Sequence, residues 1–136
     1  MINFTNISHW AYDYCKNIKD KPEVRKLITK SCHSLWYCRT VKDRPNIRKY
    51  ITDSNHVYNY CRYIKDRNSM RKLITDSNHA FNYCRYIKDR PEIRKFITNS
   101  IDAYFYCREV KDRPEVRKLI TDVKHLQYYQ DWKDEQ

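Results

Sequence analysis

"YNYCRYIKDR" at residues 58–67 returns with one letter changed as "FNYCRYIKDR" at residues 81–90. The two copies lie 23 residues apart, and a Tyr-Cys dipeptide keeps this spacing through most of the chain. The dipeptide begins at Tyr14, Tyr37, Tyr60, Tyr83 and Tyr106. A fixed period of this length is typical of proteins built from tandem structural repeats.

The period divides the sequence into five full repeats between two half repeats. The full repeats are residues 8–30, 31–53, 54–76, 77–99 and 100–122. Residues 1–7 match the second half of a repeat, and residues 123–136 match a first half in which Tyr129 keeps the phase. No linker or low-complexity segment interrupts the period, so we expect a single domain over residues 1–136.

The first half of each repeat has the pattern of an amphipathic helix. In the fourth repeat, an apolar stripe follows the spacing i, i+3, i+4, i+7 that places side chains on one helix face. The stripe consists of Ala80, Tyr83, Cys84 and Ile87. Ser77 precedes it, and we expect the Ser77 hydroxyl to cap the helix by accepting an early backbone N–H.

The second half of the repeat predicts another, shorter helix. Asp89 is a suitable cap, Glu92 follows three residues later as in a capping box, and Pro91 is tolerated in a first turn. The apolar positions that follow are Ile93, Phe96 and Ile97. A helix of about eight residues is marginally stable alone and needs a packed neighbour. We therefore predict an all-α fold, an α-solenoid in which each repeat packs on the next.

The segment DRPEVRKLI at residues 112–120, with its variants DKPEVRKLI and DRPEIRKFI, resembles the Asp-Pro-Glu-Val-Arg turn of HEAT-type and leucine-rich-variant repeats. Those families form curved α-superhelices that serve as binding scaffolds, and the resemblance implies the same for this chain. In HEAT repeats the matching Asp and Arg tie neighbouring repeats together. The corresponding pairs here are Asp43 with Arg48, Asp66 with Arg71, Asp89 with Arg94, and Asp112 with Arg117. The repeats are also similar to short tandem repeats of phage and large-virus proteins.

Composition argues against several classes of protein. No apolar run approaches the roughly 18–20 residues that cross a bilayer, so no membrane partner is expected. No charged-then-apolar leader precedes the first repeat, so we expect no secretory signal. These observations favour a cytoplasmic protein, or one in the host cytoplasm if the source is a virus.

The cysteines and histidines recur in columns and do not converge on one point. Five of the six cysteines share one position of the apolar stripe, where they are expected to act as small buried hydrophobes, whereas Cys32 is out of phase and should face water. No paired CxxC motif for zinc is present. The histidines that share a column are His33, His56, His79 and His125. We therefore expect no metal, no cofactor, no small-molecule substrate and no enzymatic activity.

Positive charge is concentrated in four consecutive repeats. The formal net charge is +11, and each of the first four repeats carries +3 while the fifth is neutral. Asp102 and Glu109 account for two of these three charges, because they replace uncharged residues. Charge of one sign at repeating positions favours a polyanion partner, although a merely solvated basic face would look the same in sequence.

A helical wheel places a polar set opposite the apolar stripe of the first helix. In the fourth repeat this set is His79, Asn82, Arg85 and Tyr86. An aromatic ring beside a guanidinium and an amide suits a stacked base whose edge is hydrogen-bonded. We therefore predict that nucleic acid or a nucleoprotein contacts Arg39, Arg62, Arg85, Asn59, Asn82, Tyr63, Tyr86, Lys49, Lys72 and Lys95. The alternative is that the outward Asn and Tyr are filler in recently duplicated repeats.

Two other side-chain columns have structural explanations. The column of Tyr14, Tyr37, Tyr60, Tyr83, Tyr106 and Tyr129 lies within the apolar stripe, which favours core packing with each hydroxyl bound to a partner. Arg94 and its equivalents recur in the neutral fifth repeat, which favours a structural role over contact with a ligand.

Large aromatic residues at Trp36, Phe105 and Trp132 interrupt the outward polar face. Exposed aromatic side chains of this kind anchor protein partners. They support a competing hypothesis, in which the chain is a protein-binding adaptor or inhibitor that presents its basic surface to an acidic protein. Such a protein could be a phage- or virus-encoded antagonist of a host nucleic-acid machine.

Overall fold

The structure, a computed structural model, describes residues 6–136. Most of the expected N-terminal half repeat, residues 1–5, lies outside this range. The described residues contain eleven helices and no strand, which confirms the all-α prediction. The chain divides into two compact units, Met1–Met70 and Arg71–Gln136, and each is described by itself.

Long and short helices alternate along the chain. The long helices are α1 (Ile7–Asn17), α3 (Ser31–Thr40), α5 (Ser54–Tyr63), α7 (Ser77–Tyr86), α9 (Ser100–Glu109) and α11 (Val123–Asp134). The short helices are α2 (Pro22–Arg25), α4 (Pro45–Arg48), α6 (Asn68–Arg71), α8 (Pro91–Arg94) and α10 (Pro114–Arg117). In the first unit α1 packs on α3 and α3 on α5, and in the second α7 packs on α9 and α9 on α11. Successive repeats therefore stack in chain order within each unit, as in an α-solenoid.

The second helix of each repeat is shorter than predicted. Each α-helical segment spans four residues. After α2 the backbone continues with tighter bonds, from Leu27 N–H to the Val24 carbonyl and from Ile28 N–H to the Arg25 carbonyl, each at 3.0 Å. These i→i+3 bonds carry the chain to a buried isoleucine, such as Ile28 or Ile97. One turn of α-helix is enough because the apolar side chains, and not the backbone ladder, hold the segment in place.

The predicted caps are wrong in both halves of the repeat. The N-cap of α7 is Asp76, whose carboxylate accepts the His79 backbone N–H, and Ser77 lies inside the first turn. The Ser77 hydroxyl instead accepts the backbone N–H groups of Thr98 and Asn99, at 3.0 Å each. Consecutive Asp and Ser are both good caps, and because the carboxylate caps the helix, the hydroxyl is left to join the start of the repeat to its end. Asp89 does not cap α8 either, because the N-cap residue there is Arg90, whose side chain makes no capping hydrogen bond.

Histidines complete this serine contact. The ring Nδ1 lies 2.9 Å from the Ser8 hydroxyl at His33, 2.8 Å from Ser31 at His56, and 2.9 Å from Ser100 at His125. Each serine thus joins the start of one long helix to the start of the next.

The core is built from the tyrosine, cysteine and isoleucine columns. Tyr37, Tyr60, Tyr83 and Tyr106 have 0% exposure, which confirms the core prediction for these four members of the tyrosine column. Tyr14 and Tyr129, at its ends, are half-buried. The five in-phase cysteines are buried as predicted, namely Cys15, Cys38, Cys61, Cys84 and Cys107. Cys32 is half-buried and not freely exposed.

Candidate functional site

A network of Asp, Tyr and Arg side chains joins neighbouring repeats, and its carboxylates neutralise some of the arginines. The Tyr60 hydroxyl donates to the Asp43 carboxylate at 2.6 Å, and Arg67 Nε donates to the Tyr60 oxygen at 2.7 Å. Asp43 also accepts from Arg48 Nε at 3.0 Å and from Arg67 Nη2 at 3.2 Å. Equivalent networks are centred on Asp20, Asp89 and Asp112.

This network corrects the role that the HEAT resemblance implied for the Asp–Arg pairs. The pairs Asp43–Arg48, Asp89–Arg94 and Asp112–Arg117 are present, with Nε–oxygen distances of 3.0, 3.0 and 2.9 Å. Each pair lies within one repeat and therefore does not itself join two repeats. A different arginine, Arg67 for Asp43 and Arg113 for Asp89, reaches the aspartate from the following repeat.

The ionisation of the network follows from its burial and its donors. Burial alone would raise the pKa of Asp43, but the hydrogen bonds from Arg48 and Tyr60 hold that pKa below its ordinary value. Burial, followed by the bond to Asp43, raises the pKa of Tyr60 to about 12. At neutral pH the aspartate is therefore an anion and the tyrosine a neutral donor. The arginines of the network are therefore paired with a carboxylate inside the protein, which supports the structural role predicted for Arg94.

The predicted basic contact residues are exposed, the arginines on the long helices and the lysines directly after the short helices. Arg39, Arg62 and Arg85 are exposed in the last turns of long helices. Lys49, Lys72 and Lys95 are exposed and follow the short helices directly. Among the described residues, these three lysines form no ion pair. Lys49 and Lys95 instead lie 5.1 Å and 5.2 Å from the ring centroids of Tyr50 and Phe96.

In the first unit, two arginines gather at one exposed tyrosine. The guanidinium carbon of Arg39 lies 4.7 Å from the Tyr63 ring centroid, and that of Arg62 lies 5.0 Å from the same centroid. Arg62 Nη1 also donates to the Tyr58 hydroxyl at 3.1 Å. Tyr63 is 49% exposed. We call Arg39, Arg62 and Tyr63 the tyrosine cluster.

In the second unit, two arginines gather at one glutamate. Arg85 Nη2 lies 3.4 Å from Glu109 Oε2, and Arg108 Nε lies 3.7 Å from Glu109 Oε1. Arg108 Nη1 donates to the Tyr104 hydroxyl at 3.2 Å, as Arg62 does to Tyr58. Arg85 also lies 4.9 Å from the ring centroid of Tyr86, which is 46% exposed. We call Arg85, Arg108 and Glu109 the glutamate cluster.

The remaining predicted site residues are only partly available at the surface. Asn59 and Asn82 are half-buried, and each donates within its own helix, to Asn55 and Asn78, at 3.4 Å. The sequence placed Phe105 on the outward face, but the residue is half-buried, with its ring centroid 5.1 Å from that of Tyr104. The Phe105 ring centroid also lies 6.2 Å from that of Phe81 on the neighbouring long helix, so the two phenyl rings shield each other from solvent.

Trp36 is a more accessible aromatic residue. It is 42% exposed and lies against the rings of His33 and Tyr12, with centroid separations of 5.2 and 5.6 Å. Trp10, in the preceding repeat, is 51% exposed. The sequence analysis did not single out Trp10, because it occupies a position that is histidine in three of the full repeats.

Two acidic residues of the fifth repeat behave differently, although the sequence analysis treated them alike. Glu109 belongs to the glutamate cluster. The sequence could have indicated its importance, because Glu109 occupies the position of Tyr63 and Tyr86 in the 23-residue period. Asp102 is buried in the histidine column, and its Oδ2 has no hydrogen-bond partner among the described residues. Only Glu109 therefore changes the charge of the exposed face.

The part of the chain that the structure describes contains no group of three His, Cys, Asp or Glu side chains suited to a metal ion. Among the same residues, no helix has the length and apolarity needed to cross a bilayer. Comparison of this chain with protein-family models, with curated proteins and with solved structures found no match.

Proposed function

We propose that this protein binds nucleic acid through the exposed ends of its long helices, without catalysing a reaction. The observation that carries the proposal is the tyrosine cluster, in which Arg39 and Arg62 lie within about 5 Å of the ring centroid of the exposed Tyr63. Guanidinium groups bind phosphate through paired donors, and an exposed aromatic ring stacks on a base. The cluster combines both kinds of group at one point.

The distribution of charge supports a polymeric ligand over a small anion. Four consecutive repeats each carry +3, and the arginines and lysines at the predicted contact positions are exposed. A chain of phosphates can engage successive cations of this kind, and each contact releases counterions. The arginines that pair with aspartates of the network, such as Arg48 and Arg94, are not part of the proposed surface.

Single-stranded nucleic acid fits this surface better than a duplex. Tyr63 and Tyr86 present half-exposed rings, and stacking on such rings requires unpaired bases. Asn59 and Asn82 each lie four residues, or about one helical turn, before one of these tyrosines, and we propose that their half-buried amides contact base edges. The first unit contains this combination at Asn59 and Tyr63 and the second at Asn82 and Tyr86, so we propose that each unit stacks one base in this way.

The test is equilibrium binding of the full chain to fluorescent single-stranded RNA, single-stranded DNA and duplex, measured by polarisation over a salt series. We expect binding at low salt that weakens with a log–log slope of about −0.7 for each single-strand phosphate engaged. Preference for single strands supports stacking at Tyr63 and Tyr86. Absence of any affinity for nucleic acid at low salt would overturn the proposal.

A second candidate function is binding of an acidic protein, and the exposed Trp10 and Trp36 of the first unit favour it. Large aromatic side chains are frequent anchors in protein interfaces, and a basic rim suits an acidic partner. In this case the chain is an adaptor or inhibitor. A pull-down after nuclease treatment should return one stoichiometric acidic protein, and the Trp36→Ala variant should lose it. Recovery of the same protein by Trp36→Ala would count against this candidate.

A further inference from the structure

The tyrosine cluster and the glutamate cluster occupy equivalent places in the repeat. Tyr63 and Glu109 are separated by two periods of 23 residues, as are Arg39 from Arg85 and Arg62 from Arg108. In both clusters one arginine comes from the preceding repeat and the other directly precedes the central residue in the chain. The hydroxyls of Tyr58 and Tyr104 also bind the second arginine in the same way. The two clusters therefore differ chiefly in the central side chain.

The central residue sets the charge of the cluster. Tyr63 is uncharged and presents a ring to Arg39 and Arg62, so the tyrosine cluster carries two positive charges. Glu109 places a carboxylate within 4 Å of both arginines of its own cluster. Its two oxygens are shared, since Oε2 faces Arg85 and Oε1 faces Arg108. One internal anion thus bridges two guanidinium groups from neighbouring repeats.

The bridging carboxylate shows which external group the equivalent arginines would accept. A phosphodiester also offers two anionic oxygens to guanidinium donors. Glu109 and its arginine partners are partly accessible, with side-chain exposures of 30%, 37% and 47% for Glu109, Arg85 and Arg108. An approaching phosphate would therefore reach the same place as the carboxylate and compete with it. Repulsion between the two anions would weaken binding in the fifth repeat.

We propose that Glu109 acts as an internal substitute for a backbone phosphate, so that phosphate is excluded from the two arginines of the glutamate cluster. The tyrosine cluster accepts a phosphodiester between Arg39 and Arg62, because Tyr63 supplies no competing charge. Glu109 therefore limits the number of phosphates that the protein engages. This inference rests on the proposed binding of nucleic acid and assigns the positions at which phosphates are accepted and refused.

The test exchanges the two central residues. Single-stranded RNA binding is compared for the wild type, Tyr63→Glu, Glu109→Tyr and the double exchange, over a salt series. Tyr63→Glu should weaken binding about tenfold and make the salt slope less negative by about 0.7, the value for one lost single-strand phosphate. Glu109→Tyr should tighten binding and make the slope more negative by a similar amount. The double exchange should restore the wild-type slope.

Two charge-matched variants separate a local effect from net charge. Thr52→Glu adds the same charge at an exposed position of the first unit, and Glu115→Gln removes a charge from an exposed position of the fifth repeat. Both should leave the salt slope unchanged, whereas Glu109→Gln should steepen it. Circular dichroism checks that each variant keeps its helices.

The outcomes distinguish this inference from the proposed function. If wild type and Glu109→Tyr both fail to bind RNA at low salt, both proposals are wrong. If wild type binds but Glu109→Tyr and Glu109→Gln gain nothing over Glu115→Gln, the proposed function stands and the role of Glu109 is refuted. A loss in Tyr63→Glu without a gain in Glu109→Tyr also refutes it, because added negative charge alone explains such a loss.

Discussion

The Tyr60 hydroxyl donates a 2.6 Å hydrogen bond to the Asp43 carboxylate, which belongs to the preceding repeat. The same oxygen of Tyr60 accepts from Arg67 Nε, so the phenol is both donor and acceptor. Within each unit, a partly buried polar bond of this kind joins neighbouring repeats beside the apolar core. Because the tyrosine has 0% exposure, no water can readily replace the hydroxyl.

Removal of this hydroxyl should therefore destabilise the protein. Tyr60→Phe removes the hydroxyl that donates to the Asp43 carboxylate, and a hydrogen bond to a charged group contributes about 1.5–3 kcal/mol. We expect a loss of that size in the free energy of unfolding, measured by urea denaturation. Tyr63→Phe is the matched control, because Tyr63 is half-exposed, and a surface change of this kind alters stability by less than about 0.5 kcal/mol. Equal losses in the two variants would contradict the assignment.

The aspartates of the network predict instability in acid. Burial opposes ionisation, but hydrogen bonds from arginine and tyrosine lower the pKa of Asp20, Asp43, Asp89 and Asp112 below the ordinary value. A carboxyl whose pKa is lower in the folded state stabilises the fold above its unfolded pKa of about 3.9 and loses that contribution as the pH falls. The melting temperature should therefore drop steeply below about pH 4.

The variant Asp43→Asn provides the check on acid stability, because its amide cannot ionise. It should be less stable than wild type at pH 7 and should lose less of its remaining stability between pH 5 and pH 2, as followed by thermal melts. If wild type and Asp43→Asn lose stability in parallel over this range, the network does not cause the acid sensitivity.

The sequence allowed accurate prediction of the long helices because their apolar spacing repeats without interruption. Ser54–Tyr63 and Ser77–Tyr86 are helices of equal length at equal register. The four central members of the tyrosine column lie in the core, as their phase within the stripe indicated. The caps were mispredicted because Asp76 and Ser77 are adjacent and both can cap. Their roles are decided by the Thr98 and Asn99 N–H groups at the end of the same repeat, which reach Ser77 only after the two helices of that repeat have packed together.

The contacts of the candidate site depended on the stacking of one repeat on the next. A helical wheel correctly placed Arg39 and Arg62 on the surface, but it treats each helix alone. The approach of Arg39 to Tyr63 joins residues 24 positions apart in neighbouring repeats. Glu109 likewise bridges Arg85 and Arg108 only because neighbouring repeats stack. In the sequence, Glu109 was visible only as a change in net charge.

Burial of the cysteine column predicts a simple order of thiol reactivity. Burial raises the pKa of Cys38 and of Cys84 to about 12, so thiolate is scarce at pH 8 as well as inaccessible. Cys32 is half-buried and more accessible. Mass spectrometry after brief iodoacetamide treatment of the folded protein should find label first at Cys32, and at the other five only after denaturant is added. Early labelling of Cys38 or Cys84 would contradict the core assignment.

The tyrosine cluster predicts that arginines and lysines of equal charge contribute unequally to nucleic-acid binding. The double variant Arg39→Ala, Arg62→Ala removes two positive charges that lie at Tyr63. Lys42→Ala, Lys65→Ala removes two from exposed positions of the same unit that were not predicted as contacts. Because the two arginines are proposed to hold one phosphodiester between them, the arginine variant should make the salt slope for single-stranded RNA less negative by about 0.7. The lysine variant should lower affinity at low salt through long-range attraction alone, which is screened beyond about 10 Å at 0.1 M salt, and should leave the slope nearly unchanged. Equal changes of slope would mean that the ligand responds to net charge and that the surface has no defined arginine site.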